Sequence, residues 1–406
     1  MIVPDRLYDV GGVMLPRPFK IRRLGHFGIS VDDVEATLPF YTDILGFDVS
    51  DSINFNRIFN LDDAVVGPGV GYLLRHGPEH HSFVLFPLRP MLANPKVLSD
   101  MTGQSINQIT WQVGSLREVA GARQWFADCG LPISRQGRDT PGSNWHCYPV
   151  GLDGHVNEVF YGIEIIGWDG YSKPPGMHPK RYEAIPELPH VSERSEVDNG
   201  FDHGVKIVDG VRARVRLLAR FDVGGVMMPR PFKIVRMGPV RIFVKDLDRA
   251  RRMYLDILGL SLTEEVLFEG HRCLFFRTGN EHHSLGVYPI ELRSILGFPD
   301  FTSHMSYGLQ VADYRQLQNA VAFIEEHGFE VRRLPAALFP GMGPSAFAID
   351  PSGHAVQLYH SMEQIGWDGQ PRKPHQRMSV DNEHWPDRLD AGGDSYTGEA
   401  FLGPWY

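Results

Sequence analysis

Residues 9–25 read DVGGVMLPRPFKIRRLG, and residues 222–238 read DVGGVMMPRPFKIVRMG. The echo continues in order. YTDILG at 41–46 returns as YLDILG at 254–259, EHHS at 79–82 returns at 281–284, and IGWDG at 166–170 returns at 365–369. A repeat of this length means two homologous domains, because solenoid units run only about 20–50 residues. The divisions expected are residues 8–165, a linker at 166–220, a second domain at 221–365 and a C-terminal arm at 366–406. The chain of 406 residues is long enough for both to bury a core.

Each half opens with the same local pattern. In LGHFGISV, at 24–31, Phe27, Ile29 and Val31 alternate with His26, Gly28 and Ser30, which predicts a strand with one apolar face. Asp32 and Asp33 then offer N-cap chemistry, Val34, Leu38, Tyr41 and Leu45 recur at helical spacing, and Gly46 suits a helix end. Short strands follow near 71–75 and 80–87. NQITWQV at 107–113 starts a second unit, with a helix near 116–129 and a hairpin turning at 151–154. The second half repeats both units. The expected fold is α+β: four βαβββ modules paired into two domains with cupped mixed sheets. The stretch from 168 to about 219 reads as an irregular linker wrapping the surface, and the aromatic tail (Trp385, Tyr396, Phe401, Trp405) reads as a docked arm.

Composition narrows the function. The net charge of −9, without a basic stripe, argues against nucleic acid. No stretch reaches the roughly 18 apolar residues that span a bilayer, and the N-terminus lacks a secretory pattern. Three scattered cysteines are too few for a disulfide framework or zinc knuckle, so a cytoplasmic setting is expected.

Three polar residues interrupt strands on the face away from the core: His26, Gln108 and Glu158. Two neutral donors and a carboxylate on separate strands of a cupped sheet could make a facial set for a divalent metal, with open positions left for reactants. His81 could act as an acid–base, and Tyr148 lies across the 151–154 turn from Glu158. Taken alone, His26 and Gln108 are more often structural than functional, Glu158 also reads as a rim residue paired with an arginine, the HHS pair is evenly balanced between the two readings, and Tyr148 carries almost no information.

The repeated pattern resembles the vicinal oxygen chelate (glyoxalase/bleomycin-resistance/dioxygenase) superfamily, and within it the type I extradiol ring-cleaving dioxygenases. The matching stretches are RLGHFGISVDDVEATLPFYTDILGF, GPEHHSFVLFP, INQITWQVGSLREVAGA and HCYPVGLDGHVNEVFYG. The resemblance implies Fe(II), or alternatively Mn(II) or another divalent metal, on His26, Gln108 and Glu158. It also implies His81 as acid–base, Tyr148 beside the substrate ten residues before the ligand Glu, and His80 and His146 as substrate contacts. The implied reactants are a small aromatic substrate and O2, and a homo-oligomer is possible.

Two departures matter. The second copy has Pro239, Ser306 and Gln357 at the three donor positions, and Arg241 in place of Gly28, which would crowd the pocket. The working site is therefore expected in the first half. Gln108 also stands where the dioxygenases carry His. An amide oxygen is a harder and weaker donor than imidazole, which leaves open a metal-dependent isomerase, lyase or hydrolase that consumes no O2, or a protein that only binds an aromatic ligand.

Overall fold

The computed structural model describes residues 6–94, 105–178, 181–213 and 217–389. Each half is built on one curled, mixed, eight-stranded sheet. Across the first sheet the order is Asp48–Asn54, Val70–Arg75, Phe83–Pro87, Arg23–Val31, Ile106–Gln112, Asn157–Tyr161, Trp145–Pro149 and Ile133–Arg138. That is two βαβββ modules joined edge to edge, since Arg23–Val31 and Ile106–Gln112, the first strands of the two modules, pair antiparallel at the centre. Each of them then pairs in parallel with the last strand of its own module. The second sheet has the same order, with Ile234–Val244 and His304–Val311 at its centre.

The local signals act as expected. The Asp33 carboxylate accepts from the Ala36 N–H at 2.9 Å and starts the helix at Val34. The helix widens into a π-turn over Phe40–Leu45 and stops at Gly46, whose φ of 88° is left-handed. Ser115 and Asp313 cap the long helices Leu116–Asp128 and Tyr314–Glu326.

One hydrophobic core runs through both halves. Phe83 stacks on Tyr307 with ring centroids 5.0 Å apart, and the Trp125 indole donates to the Ile257 carbonyl at 3.1 Å. The duplicated PRPF motif adds a clasp. Arg230 reaches the end of the first half's helix and donates to the Asp43 carbonyl at 3.2 Å. Arg17 lies against Gly259, the helix end of the second half. Gly46 and Gly259 both take a positive φ, which favours glycine, and a side chain there would push these guanidinium groups aside.

Two expectations change. Residues 168–219 are not wholly irregular: Glu193–Asp202 is a helix capped by Ser192, tied down where Arg138 grips Glu196 with two bonds of 2.8 and 3.0 Å. The helix is also held at its start, where Lys173 pairs with Glu193. The strand Asp48–Asn54, too polar to read from alternation, pairs with Val70–Arg75 and completes the sheet. In the arm, Trp385 docks under Arg333, 4.1 Å from guanidinium to ring; Tyr396, Phe401 and Trp405 lie outside the described residues. No helix among the described residues is long and apolar enough to cross a membrane.

Candidate metal and active site

Three adjacent strands of the first sheet carry His26, Gln108 and Glu158, and all three side chains are buried. Gly28 sits directly opposite Gln108 in the ladder, and a Cβ there would lie 2.5 Å from the Phe86 ring. The absent side chain leaves room on the inner face.

The donors converge on one carboxylate. His26 Nε2 lies 2.9 Å from Glu158 Oε2, and the Gln108 amide lies 3.4 Å from the same oxygen. Asn144 donates to Glu158 Oε1 at 2.6 Å, and the Tyr148 phenol lies close to the carboxylate. Burial works to raise the Glu158 pKa, but the His26 imidazole and the nearby phenol outweigh it and hold the carboxyl below its usual range. The group is a carboxylate at neutral pH.

His81 stands over His26, with ring centroids 4.4 Å apart. Its Nδ1 meets His80 Nδ1 at 3.0 Å, and His80 Nε2 meets Asp51 Oδ2 at 3.0 Å. A carboxylate at Asp51 accepts the His80 Nε2–H. In the tautomer where His80 Nδ1 accepts from the His81 Nδ1–H, the His81 Nε2 lone pair is free. Burial, with His26 and His80 adding to it, holds the His81 pKa well below its ordinary value, so the ring is neutral. Both His80 nitrogens are thus committed to protein partners. His80 stands between Asp51 and His81 at the edge of the site.

His146 and Tyr148 share the strand Trp145–Pro149, with rings 4.8 Å apart. Burial, reinforced by Arg135, brings the His146 pKa down to about 4. Burial and the Glu158 charge push the Tyr148 hydroxyl well above its ordinary value. Arg135 lies 4.4 Å over the Tyr148 ring and pairs with Asp139, which Arg181 also holds at 2.9 Å. Asn144, Arg135, Asp139 and Asp51 were not singled out by sequence. They lie in segments with no alternation to read and act on other side chains, so no motif marks them.

The donor set can hold a cation. Ligands about 2.1 Å from a metal and at right angles to each other sit about 3 Å apart, close to the His26–Glu158 spacing. Gln108 can present its oxygen once its amide is turned. Among the described residues no three His, Cys, Asp or Glu side chains form a metal-ready cluster, because here the third donor is an amide. The second half differs in kind. Arg241 Nη1 lies 2.5 Å from Gln357 Oε1 and 3.5 Å from Ser306 Oγ, and Nη2 lies 3.0 Å from His283 Nε2. A guanidinium fills the space that the first half leaves between its donors.

Residues 23–159 and 236–358 match the family model described as Glyoxalase/Bleomycin resistance protein/Dioxygenase superfamily. The chain belongs to this superfamily. A biphenyl-2,3-diol 1,2-dioxygenase of Paraburkholderia xenovorans (strain LB400) is 34% identical over 122 residues, 29% of this chain and 33% of that enzyme. The match therefore spans about a third of that relative's length. Over 90% of the chain the fold is shared with a catechol 2,3-dioxygenase (TM-score 0.55, 16% identity, 97% of that chain). It is also shared, over 86% of the chain, with an Mn(II)-bound glyoxalase from Novosphingobium aromaticivorans (TM-score 0.51, 15% identity, 85% of that chain). At matching places on the two sheets the first half carries His26, Gln108 and Glu158, and the second half carries Arg241 with Ser306 and Gln357.

Proposed function

We propose that the first half is the active domain of an extradiol-type dioxygenase that adds O2 to a catechol-like aromatic, and that the second half is a retained scaffold without metal. The observation that carries this reading is the convergence of His26, Gln108 and Glu158, with the His81 and Tyr148 rings gathered at the same place. Fe(II), or alternatively Mn(II), held by those three residues would supply the template for diol and O2 and the charge transfer between them.

The surrounding residues have defined tasks. Glu158, kept ionised by its neighbours, brings negative charge to the donor set. Asn144 fixes its carboxylate plane. His81, neutral and with Nε2 free, accepts a proton from a substrate hydroxyl and can return it as the ring opens. Tyr148, kept protonated, donates a hydrogen bond to an oxygen of the substrate, and His146 offers a neutral ring beside it.

A second reading rests on Gln108. A harder, weaker-field donor set suits a metal that polarises a vicinal oxygen pair, as an isomerase, lyase or hydrolase needs, with no O2 consumed. Metal analysis of the purified chain, followed by oxygen-electrode assays on a panel of catechols, separates the two. Bound Fe or Mn with stoichiometric O2 uptake supports the dioxygenase; turnover without O2 uptake supports the alternative.

A further inference from the structure

The second half buries a full positive charge with nothing to balance it. Arg241 is completely buried. Its partners are all neutral: the Gln357 amide oxygen, the Ser306 hydroxyl, His283 Nε2 and, at 2.6 Å, the Met342 thioether. The Phe339 ring lies 5.0 Å from the guanidinium carbon. Among the described residues no carboxylate pairs with Arg241. Burial lowers its pKa, and the neighbouring Tyr288 and Tyr359, themselves neutral phenols, offset this only in part. A buried cation without a counter-ion is costly, and guanidinium does not shed its proton.

The unsatisfied edge is specific. Nη1 spends its bonds on Gln357 and Ser306. Nε has no partner, and Nη2, on the same edge, makes one of its two bonds to sulfur, a weak acceptor. Nε–H and Nη2–H together form the fork that grips a carboxylate through two parallel bonds. Phe339 and Met342, which touch the guanidinium, also line a cleft under the C-terminal arm, whose wall carries Met362 and the charged Glu363, Arg372 and Arg377. The Met342 backbone is held by a bridge to Met362 and by the Gly343 N–H bond to the Ser361 carbonyl, so only its flexible thioether side chain can turn aside.

We propose that the second half is a carboxylate-binding site, in which Arg241 stands where the first half's donors could hold a metal, and an organic carboxylate with an apolar body enters past Met342. The apolar lining of Phe339, Met342 and Met362 favours an aromatic or unsaturated acid over a bare inorganic anion. The inference rests on the second half alone and stands whether or not the first half consumes O2.

Benzoate titrated into the full chain by calorimetry, with benzamide as the neutral match, tests it. Saturable benzoate binding is expected, about tenfold or more weaker for benzamide and for Arg241→Met, and unchanged in Glu158→Gln, which alters only the first half. Should Arg241→Met fail to fold, Met342→Ala serves instead: it keeps the charge, opens the edge and should bind benzoate at least as tightly as the parent. Equal binding of benzamide, loss of binding in Glu158→Gln, or no benzoate binding by the parent and Met342→Ala at millimolar ligand would each overturn the proposal.

Discussion

Tyr41 donates to Asp350 across the seam between the halves at 2.9 Å, and Tyr254 answers with a bond to Asp153 at 2.8 Å. The tyrosines occupy equivalent helix positions, but the acceptors do not. Asp350 stands at the turn position held by Gly151 in the first half, and Asp153 stands where the second half has Ser352. Both turns still present a carboxylate to the opposite helix. Two latches built from non-equivalent residues show what the fold requires here, which is an acceptor for each buried phenol.

Removing either hydroxyl leaves a buried carboxylate oxygen short of a donor. Tyr41→Phe and Tyr254→Phe should each lower stability by about 1–2 kcal/mol. Urea unfolding followed by tryptophan fluorescence should show a lower midpoint at unchanged slope.

The Asn144 bond orients Glu158, so its loss should act on metal affinity more than on folding. Asn144→Ala should bind Fe(II) or Mn(II) about 10–100-fold more weakly, while its far-ultraviolet circular dichroism matches the parent. Metal titration at fixed pH reads this directly.

Gln108→His replaces an amide with imidazole next to His26 and Glu158. Iron retained through purification should rise, because the softer nitrogen donor binds Fe(II) more firmly. An unchanged iron content would mean that residue 108 is not a ligand.

The C-terminal arm has its own pH dependence. Arg377 bonds Glu264 Oε2 at 2.8 Å and Glu363 at 2.8 Å, and His282 Nε2 meets the same Glu264 oxygen at 2.9 Å. Burial works to raise the Glu264 pKa, but His282 and Arg377 outweigh it, so the folded value lies below 4.5. A depressed carboxylate contributes stability that is present above its unfolded pKa and lost as pH falls through the folded value. Hydrogen exchange over residues 372–380 should therefore stay slow at pH 6 and quicken below about pH 4, with Glu264→Gln already fast at pH 6.

The sequence made the duplication, the modules and the three donor positions readable because each rests on a period or a repeat. Phe27, Ile29 and Val31 alternate, Gly46 ends a helix in both copies, and Arg241 announces by its size that the second pocket is filled. What could not be read depends on contacts distant in the chain. Asp51 supports His80 from a strand too polar to recognise, Asn144 reaches Glu158 from a loop, and the helix Glu193–Asp202 is fixed by Arg138 instead of by an apolar stripe. The bond from His80 to Asp51, which no motif marks, sets His80 apart from His81 in its surroundings.

The central claim is that one half holds a metal and the other holds a guanidinium in its place. Anomalous diffraction at the iron edge from crystals loaded anaerobically with Fe(II) tests it most directly. The account predicts one peak per chain, between His26, Gln108 and Glu158, and none beside Arg241. A peak in the second half, or none in the first at full iron occupancy in solution, would contradict it.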